Sequence, residues 1–169
     1  MAAKADQTII LDHKQIGQKI TRIAHQILEN NFQEKSIVII GIQKEGFVLA
    51  TRIFKILETI STCEIKLHGI KIDKKNPLKS NLIEEVATLG LKNKIVILVD
   101  DVLNSGRTLI HATQALLQAE VKGLQTVCLV DRKHRKFPIR ADYVGLTLST
   151  TLQEHITVEF SNPDRVYLE

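Results

Sequence analysis

"VILVDDVLNSGRTL", residues 96–109, decides how this chain is read. The apolar run Val96 to Val99 meets two adjacent carboxylates, Asp100 and Asp101. A turn of small and polar residues follows, and then apolar positions at helical spacing. The largely β-branched run predicts a strand buried on both faces, and the turn predicts a helix beginning near Thr108. Strand, turn and helix in that order build an α/β fold, whose ligands bind beyond the carboxyl ends of parallel strands. The acidic pair and the turn therefore belong to a ligand edge.

Working outward, the same alternation recurs. "TIIL" (8–11) predicts a short edge strand, and Asp12 with Gln15 offers a capping box for the helix carrying Ile16, Ile20, Ile23, Ala24, Ile27 and Leu28. "SIVIIG" (36–41) is a second buried strand, and "GIQKEG" leads from it into a helical pattern from Phe47 to about Thr59. "CEIKLHGI" (63–70) alternates like a strand. Residues 71–93 are polar, lysine-rich and without a firm period, which predicts a long functional or mobile loop. Strands follow at 94–99, 124–130, 141–148 and 155–160, with the helix after Thr108 ending before Gly123. No repeat or linker divides the chain, so residues 1–169 are expected to form one domain around a mostly parallel sheet.

Composition narrows the class. Hydrophobic residues make up 44% and charged residues 25%, the balance of a soluble globular protein. The apolar runs are too short for a membrane span, and "MAAKADQTII" is too weakly apolar for a secretory signal, so the cytoplasm is the expected compartment. Two cysteines, Cys63 and Cys128, are too few for a disulfide framework and lack zinc spacing; they read as small buried hydrophobes. The formal net charge of +4 mildly favours anionic partners.

The motif's chemistry is divided. Ionised carboxylates only accept hydrogen bonds, so Asp100 and Asp101 call for hydroxyl donors or a hydrated Mg²⁺. Asn104, Ser105, Gly106, Arg107 and Thr108 offer the opposite: small residues that admit a close approach, a helix N-terminus, and hydroxyl and guanidinium donors for a phosphate. A sugar phosphate satisfies both ends. The loops for nucleoside triphosphates (G-x-x-x-x-G-K-[ST]) and dinucleotides (G-x-G-x-x-G) are missing. A plainer alternative has the pair merely ending a strand and Asn104 or Ser105 capping the helix; it explains each piece better than their conjunction.

On these residues the chain resembles the type I phosphoribosyltransferases, whose phosphoribosyl diphosphate (PRPP) signature looks like "VILVDDVLNSGRTL". "VCLVDRKHRKFPIRADYVGLTL" and "ITRIAHQILENN" are similar to the bifunctional pyrimidine operon attenuator and uracil phosphoribosyltransferase family. The similarity runs from about Thr8 to Phe160. It implies a type I phosphoribosyltransferase fold, a twisted and mostly parallel sheet flanked by helices, with a small hood and a mobile loop.

By resemblance, Asp100 and Asp101 bind the ribose hydroxyls and, through PRPP and water, Mg²⁺. Residues Asn104 to Thr108 bind the 5-phosphate. Gln43, Lys44, Glu45 and Gly46 form the pyrophosphate loop, although the family commonly has arginine where this chain has Glu45. That carboxylate either opposes pyrophosphate, with Lys44 compensating, or simply complements the helix dipole. The mobile loop departs too: Ile70-Lys71-Ile72-Asp73 replaces an aromatic-Arg-Asp-Asp run. Lys71 joins the acidic pair as a catalytic candidate, keeping the charge but not arginine's fork. Lys74, Lys75 and Lys79 either close over pyrophosphate or are solvated. Val130, Asp131 and Arg132 would frame a pyrimidine. His134 and His25 have no local partner that would make either a nucleophile–base set.

The resemblance implies an enzyme converting uracil and PRPP to UMP and pyrophosphate, and a homodimer. A second reading is a PRPP-sensing, RNA-binding regulator with weak catalysis, for which the basic run "DRKHRK" speaks and the 4% of aromatic residues does not. A third is transfer to another base.

Overall fold

The apolar runs become the five strands of one parallel sheet, in the spatial order Glu64–Ile70, Ser36–Ile42, Ile95–Leu103, Gly123–Asp131 and Tyr143–Thr147. The computed structural model describes residues 7–151 and 154–169. In chain order the elements are β1 (Thr8–Leu11), α1 (His13–Asn30), β2 (Ser36–Ile42), α2 (Glu45–Ile60), β3 (Glu64–Ile70) and α3 (Leu82–Ala87). They continue with β4 (Ile95–Leu103), α4 (Arg107–Leu117), β5 (Gly123–Asp131), β6 (Tyr143–Thr147), β7 (Ile156–Glu159) and β8 (Arg165–Leu168). Side chains alternate across a strand, so each central strand feeds two cores. Ile37, Ile39, Ile95, Ile97 and Val99 pack with α1 and α2 on one face. Val38, Ile40, Val96 and Leu98 pack with α3 and α4 on the other.

The capping box at Asp12 is formed: Gln15 N–H donates to Asp12 Oδ1 at 2.8 Å, and Asp12 N–H donates to Gln15 Oε1 at 3.0 Å. Cys128 is buried in β5, whereas Cys63 lies just before β3 rather than in it. Residues 71–93 hold more order than their composition suggests. A 3₁₀ turn at Pro77–Lys79 leads into α3, which buries Leu82 and Val86 one helical turn apart. That pair was the periodic signal, too short to stand out among polar neighbours.

Strand β8 is also absent from the sequence reading, because "RVYL" is brief and directly follows Pro163 and Asp164. It lies between β1 and β7 in a separate antiparallel three-stranded sheet, the small hood. One carboxylate ties this sheet to the helices. Asp164, 1% exposed, accepts from Arg52 Nη1 at 2.5 Å and Nη2 at 2.8 Å, and its Oδ2 lies 2.9 Å from His13 Nδ1. Arg52 also stacks over Phe160, 4.7 Å from the ring centre. The Arg52 guanidinium holds the Asp164 carboxyl below the usual aspartate range.

A depressed carboxyl pKa contributes stability above the unfolded-state value and loses it as pH falls through the folded value. Asp164→Asn should therefore lower unfolding free energy at pH 7 by about 3 kcal/mol. Denaturant titrations should show that deficit shrinking below the ordinary aspartate pKa of 3.8.

Candidate active site

Strand β4 does not stop at Val99; it runs through the acidic pair to Leu103. Its alternation slips there. Val99 and Val102 both face the α1/α2 core, while Leu103 turns to the other. The slip lets both carboxylates reach one cation: Lys74 Nζ lies 3.9 Å from Asp100 Oδ1 and 3.8 Å from Asp101 Oδ1. Asp100 is 4% exposed and accepts from the Asp101 N–H at 3.1 Å. Burial first, and the Asp101 charge second, push the Asp100 carboxyl up to about 8 against the pull of Lys74.

The turn after β4 is built around Gly106. Its φ of +83° is a left-handed conformation, and a Cβ there would lie 2.6 Å from Ile139 Cγ2. Helix α4 starts at Arg107, and its cap Gly106 supplies no side-chain acceptor, so neither Asn104 nor Ser105 is the helix cap. Arg107 N–H reaches Ser105 Oγ at 3.3 Å. Behind the turn lies the basic run: Lys136 and Phe137 N–H groups donate to the Ser105 carbonyl at 2.9 and 3.1 Å. The turn, Asp100 and Lys74 enclose a cavity of about 60 Å³, room for two water molecules or one small oxyanion.

On the other side of β4, Gln43 and Lys44 join β2 to α2, whose first two residues are Glu45 and Gly46. Gly46 lies hard against the acidic strand. A Cβ there would lie 3.0 Å from the Val99 carbonyl oxygen and 3.2 Å from Asp100 Oδ1. Glycine makes this approach without displacing its neighbours, which puts the loop beside the acidic pair. Glu45 occupies the first turn of α2, where a carboxylate complements the helix dipole. Gln43 and Lys44 border an open cleft of about 570 Å³ with Lys71, Lys79, Ser80 and Asn81. Lys71 thus lines the cleft beside the acidic pair, while Lys74 is the lysine seated on it. Composition singled out the lysine-rich loop but not which lysine folds inward.

Val130, Asp131 and Arg132 come together at the end of β5, beside the turn, with their side chains already engaged. Val130 is fully buried in the α1/α2 core. Asp131 pairs with Arg135 and accepts from Lys133 N–H at 2.9 Å. Arg132, 6% exposed, donates through Nη1 to Asn104 Oδ1 at 2.9 Å. In the basic run, Lys133, Lys136 and Arg140 remain exposed.

Known proteins share this sequence and fold. The phosphoribosyl transferase domain family matches residues 6–163. The bifunctional protein PyrR of Clostridium novyi (strain NT) is 38% identical over 94% of this chain and 93% of its own. That of Clostridium acetobutylicum is 40% identical over 92% and 91%. Among solved structures, an HGPRT-ase from Leishmania tarentolae in complex with GMP superposes with a TM-score of 0.79 at 16% identity, covering 98% of this chain and 99% of that one. A hypoxanthine-guanine phosphoribosyltransferase from Bacillus anthracis reaches 0.70 at 22% identity, covering 85% and 84%. The parallel sheet flanked by helices is the type I phosphoribosyltransferase fold.

Two outcomes follow from this geometry. Gly106→Ala, forced into a left-handed backbone and against Ile139, should weaken ribose 5-phosphate binding by at least about tenfold in calorimetry. Asp100 acts on stability in the opposite sense to Asp164. Its raised pKa means that the folded state loses stability as pH climbs from 3.8 towards about 8. Asp100→Asn should accordingly be more stable than the parent at pH 8 by roughly 2 kcal/mol, with the gain vanishing below about pH 4. Thermal melts across pH check this.

Proposed function

The chain belongs to the phosphoribosyl transferase domain family, and on that premise we propose that it transfers the phosphoribosyl group of PRPP to uracil, releasing UMP and pyrophosphate. The observation that carries the reading is the meeting of three elements at one sheet edge. Gly46 presses the Gln43–Gly46 loop against Asp100, and the Gly106 turn lies just beyond on the same strand. The spacing suits a ligand carrying phosphate at one end, a diol in the middle and pyrophosphate at the other.

In this assignment Asp100 and Asp101 accept hydrogen bonds from the ribose hydroxyls, orienting the sugar. Residues Asn104 to Thr108 hold the 5-phosphate with backbone donors, and Gln43–Gly46 with Lys71 hold the pyrophosphate. Breaking the bond to pyrophosphate builds positive charge on the sugar, which the Asp101 carboxylate stabilises by its field. Base contacts at Val130–Arg132 fall to backbone groups, because the three side chains are occupied.

Mg²⁺ fits this site. The acidic pair already accepts a cation, the Lys74 ammonium, and its hard oxygens suit a hydrated ion shared with PRPP. Bound there, the ion would neutralise charge on the diphosphate leaving group. Helices too short or too polar to cross a membrane, among the described residues, agree with a cytoplasmic enzyme. A homodimer is proposed on family grounds. RNA is proposed as a second partner, supported by the word bifunctional in the relatives' name and by exposed Lys133, Lys136 and Arg140.

Turnover with PRPP, Mg²⁺ and each nucleobase in parallel tests the proposal. UMP from uracil is expected, and Asp101→Asn should weaken PRPP binding by about tenfold or more. Product from another base alone would overturn the pyrimidine assignment; no product with any base would overturn the enzyme.

A further inference from the structure

Arg132 is buried to 6% exposure, and the four hydrogen bonds its guanidinium donates all end on neutral oxygens. Nη1 donates to Asn104 Oδ1 at 2.9 Å and Nε to Thr150 Oγ1 at 3.0 Å. Nη2 donates to the carbonyls of Thr151 and Glu154 at 3.3 and 2.5 Å. The backbone N–H of Arg132 fixes its own strand end to the Leu103 carbonyl at 3.0 Å. Among the described residues no ion pair includes Arg132, in contrast to its neighbour Arg135, which is paired with Asp131. A buried charge is expensive to maintain, and the Glu154 carboxylate acts on this one only from beyond ion-pair distance. Here it lies one side chain behind a turn built to receive an anion.

The guanidinium also spans two parts of the molecule. Asn104 opens the phosphate turn, whereas Thr150, Thr151 and Glu154 come just before β7 of the hood sheet in the chain. His134 contacts the same segment, with Nε2 2.5 Å from the Thr150 carbonyl oxygen. A planar fork bonded to both can hold their relative position, which a flexible ammonium cannot.

We propose that Arg132 is a positioning residue for phosphoribosyl transfer, holding Asn104 of the phosphate turn in one register with Thr150, Thr151 and Glu154 ahead of the hood, so that the anion and the hood are sensed through one side chain. The proposal rests on the reading of residues 104–108 as the 5-phosphate site. It assigns the buried Arg132 side chain to the phosphate and hood, not to the base. Disturbing the far end of the fork should therefore be felt at the near end.

Thr150 touches no proposed substrate group, which makes it the place to test. Thr150→Val keeps shape and removes the acceptor for Nε; Thr150→Ser keeps the acceptor. Calorimetry with ribose 5-phosphate should give an affinity about three- to tenfold weaker for the valine variant and near the parent value for the serine variant. In turnover, the valine variant should raise KM for PRPP while kcat stays within about twofold, the pattern of lost binding rather than lost chemistry. Combined with Asn104→Ala, the valine change should add little, because both cut the same connection. Unchanged ribose 5-phosphate affinity in Thr150→Val, with only a lower melting temperature, would overturn the proposal and leave Arg132 a fold brace. If Gly106→Ala also leaves that affinity untouched, the phosphate-site reading falls and takes this inference with it.

Discussion

The ligand edge depends on how near the backbone of Gly46 comes to strand β4. With no Cβ between them, the start of α2 lies against Val99 and Asp100 and sets the place of the loop before it. The same strand then carries the acidic pair out of the core and into the Gly106 turn. Two short segments far apart in sequence, 43–46 and 100–108, are thereby fixed relative to each other by backbone packing, before any long side chain takes part. Preorganisation of this kind keeps the energy of orienting a substrate out of the reaction itself.

Charge is then arranged around that frame with some tension. Two carboxylates share a strand end, one of them almost out of water, so they resist being ionised together. Lys74 relieves this from the solvent side, half-exposed and nearly equidistant from both. On the far side of the turn Arg132 lies buried with neutral acceptors only. The site thus places a negative centre beside a positive one, and a ligand with both a diol and a phosphate matches the pair. Fold stability and site chemistry pull against each other at Asp100, whereas at Asp164 the buried carboxylate has its Arg52 partner and serves the fold.

Much of this was legible in the sequence. The parallel sheet followed from the β-branched runs, the capping box from Asp12 and Gln15, and the turn from Gly106. The parts that escaped share a physical cause. Helix α3 and strand β8 have too few apolar positions to show a period, and each is defined by what it packs against. The continuation of β4 through Asp100 and Asp101 could not be read either, because two carboxylates contradict a strand pattern until a cation and a loop are placed beside them. The residue-level surprise was Arg132. In a run of basic residues nothing distinguishes a side chain that is solvated from one that is folded inward, and Arg132, Lys133 and Arg135 meet three different fates within four positions.

The hood has a consequence for the life history of the chain. Its first strand, residues 8–11, pairs with β8, residues 165–168, and β8 in turn with β7. A ribosome delivers those two strands more than a hundred residues apart. The parallel sheet and the phosphate turn can consolidate while synthesis continues, but β1 waits, with Ile9 and Ile10 unpaired, for a partner made more than a hundred residues later. Closing so long a loop is slow, and an unpaired edge invites wrong partners in the interval. A nascent chain interrupted before β8 would carry a nearly finished phosphate turn under an unassembled cover, which makes the hood the late-closing part of this domain and a place for quality control to notice an interrupted product.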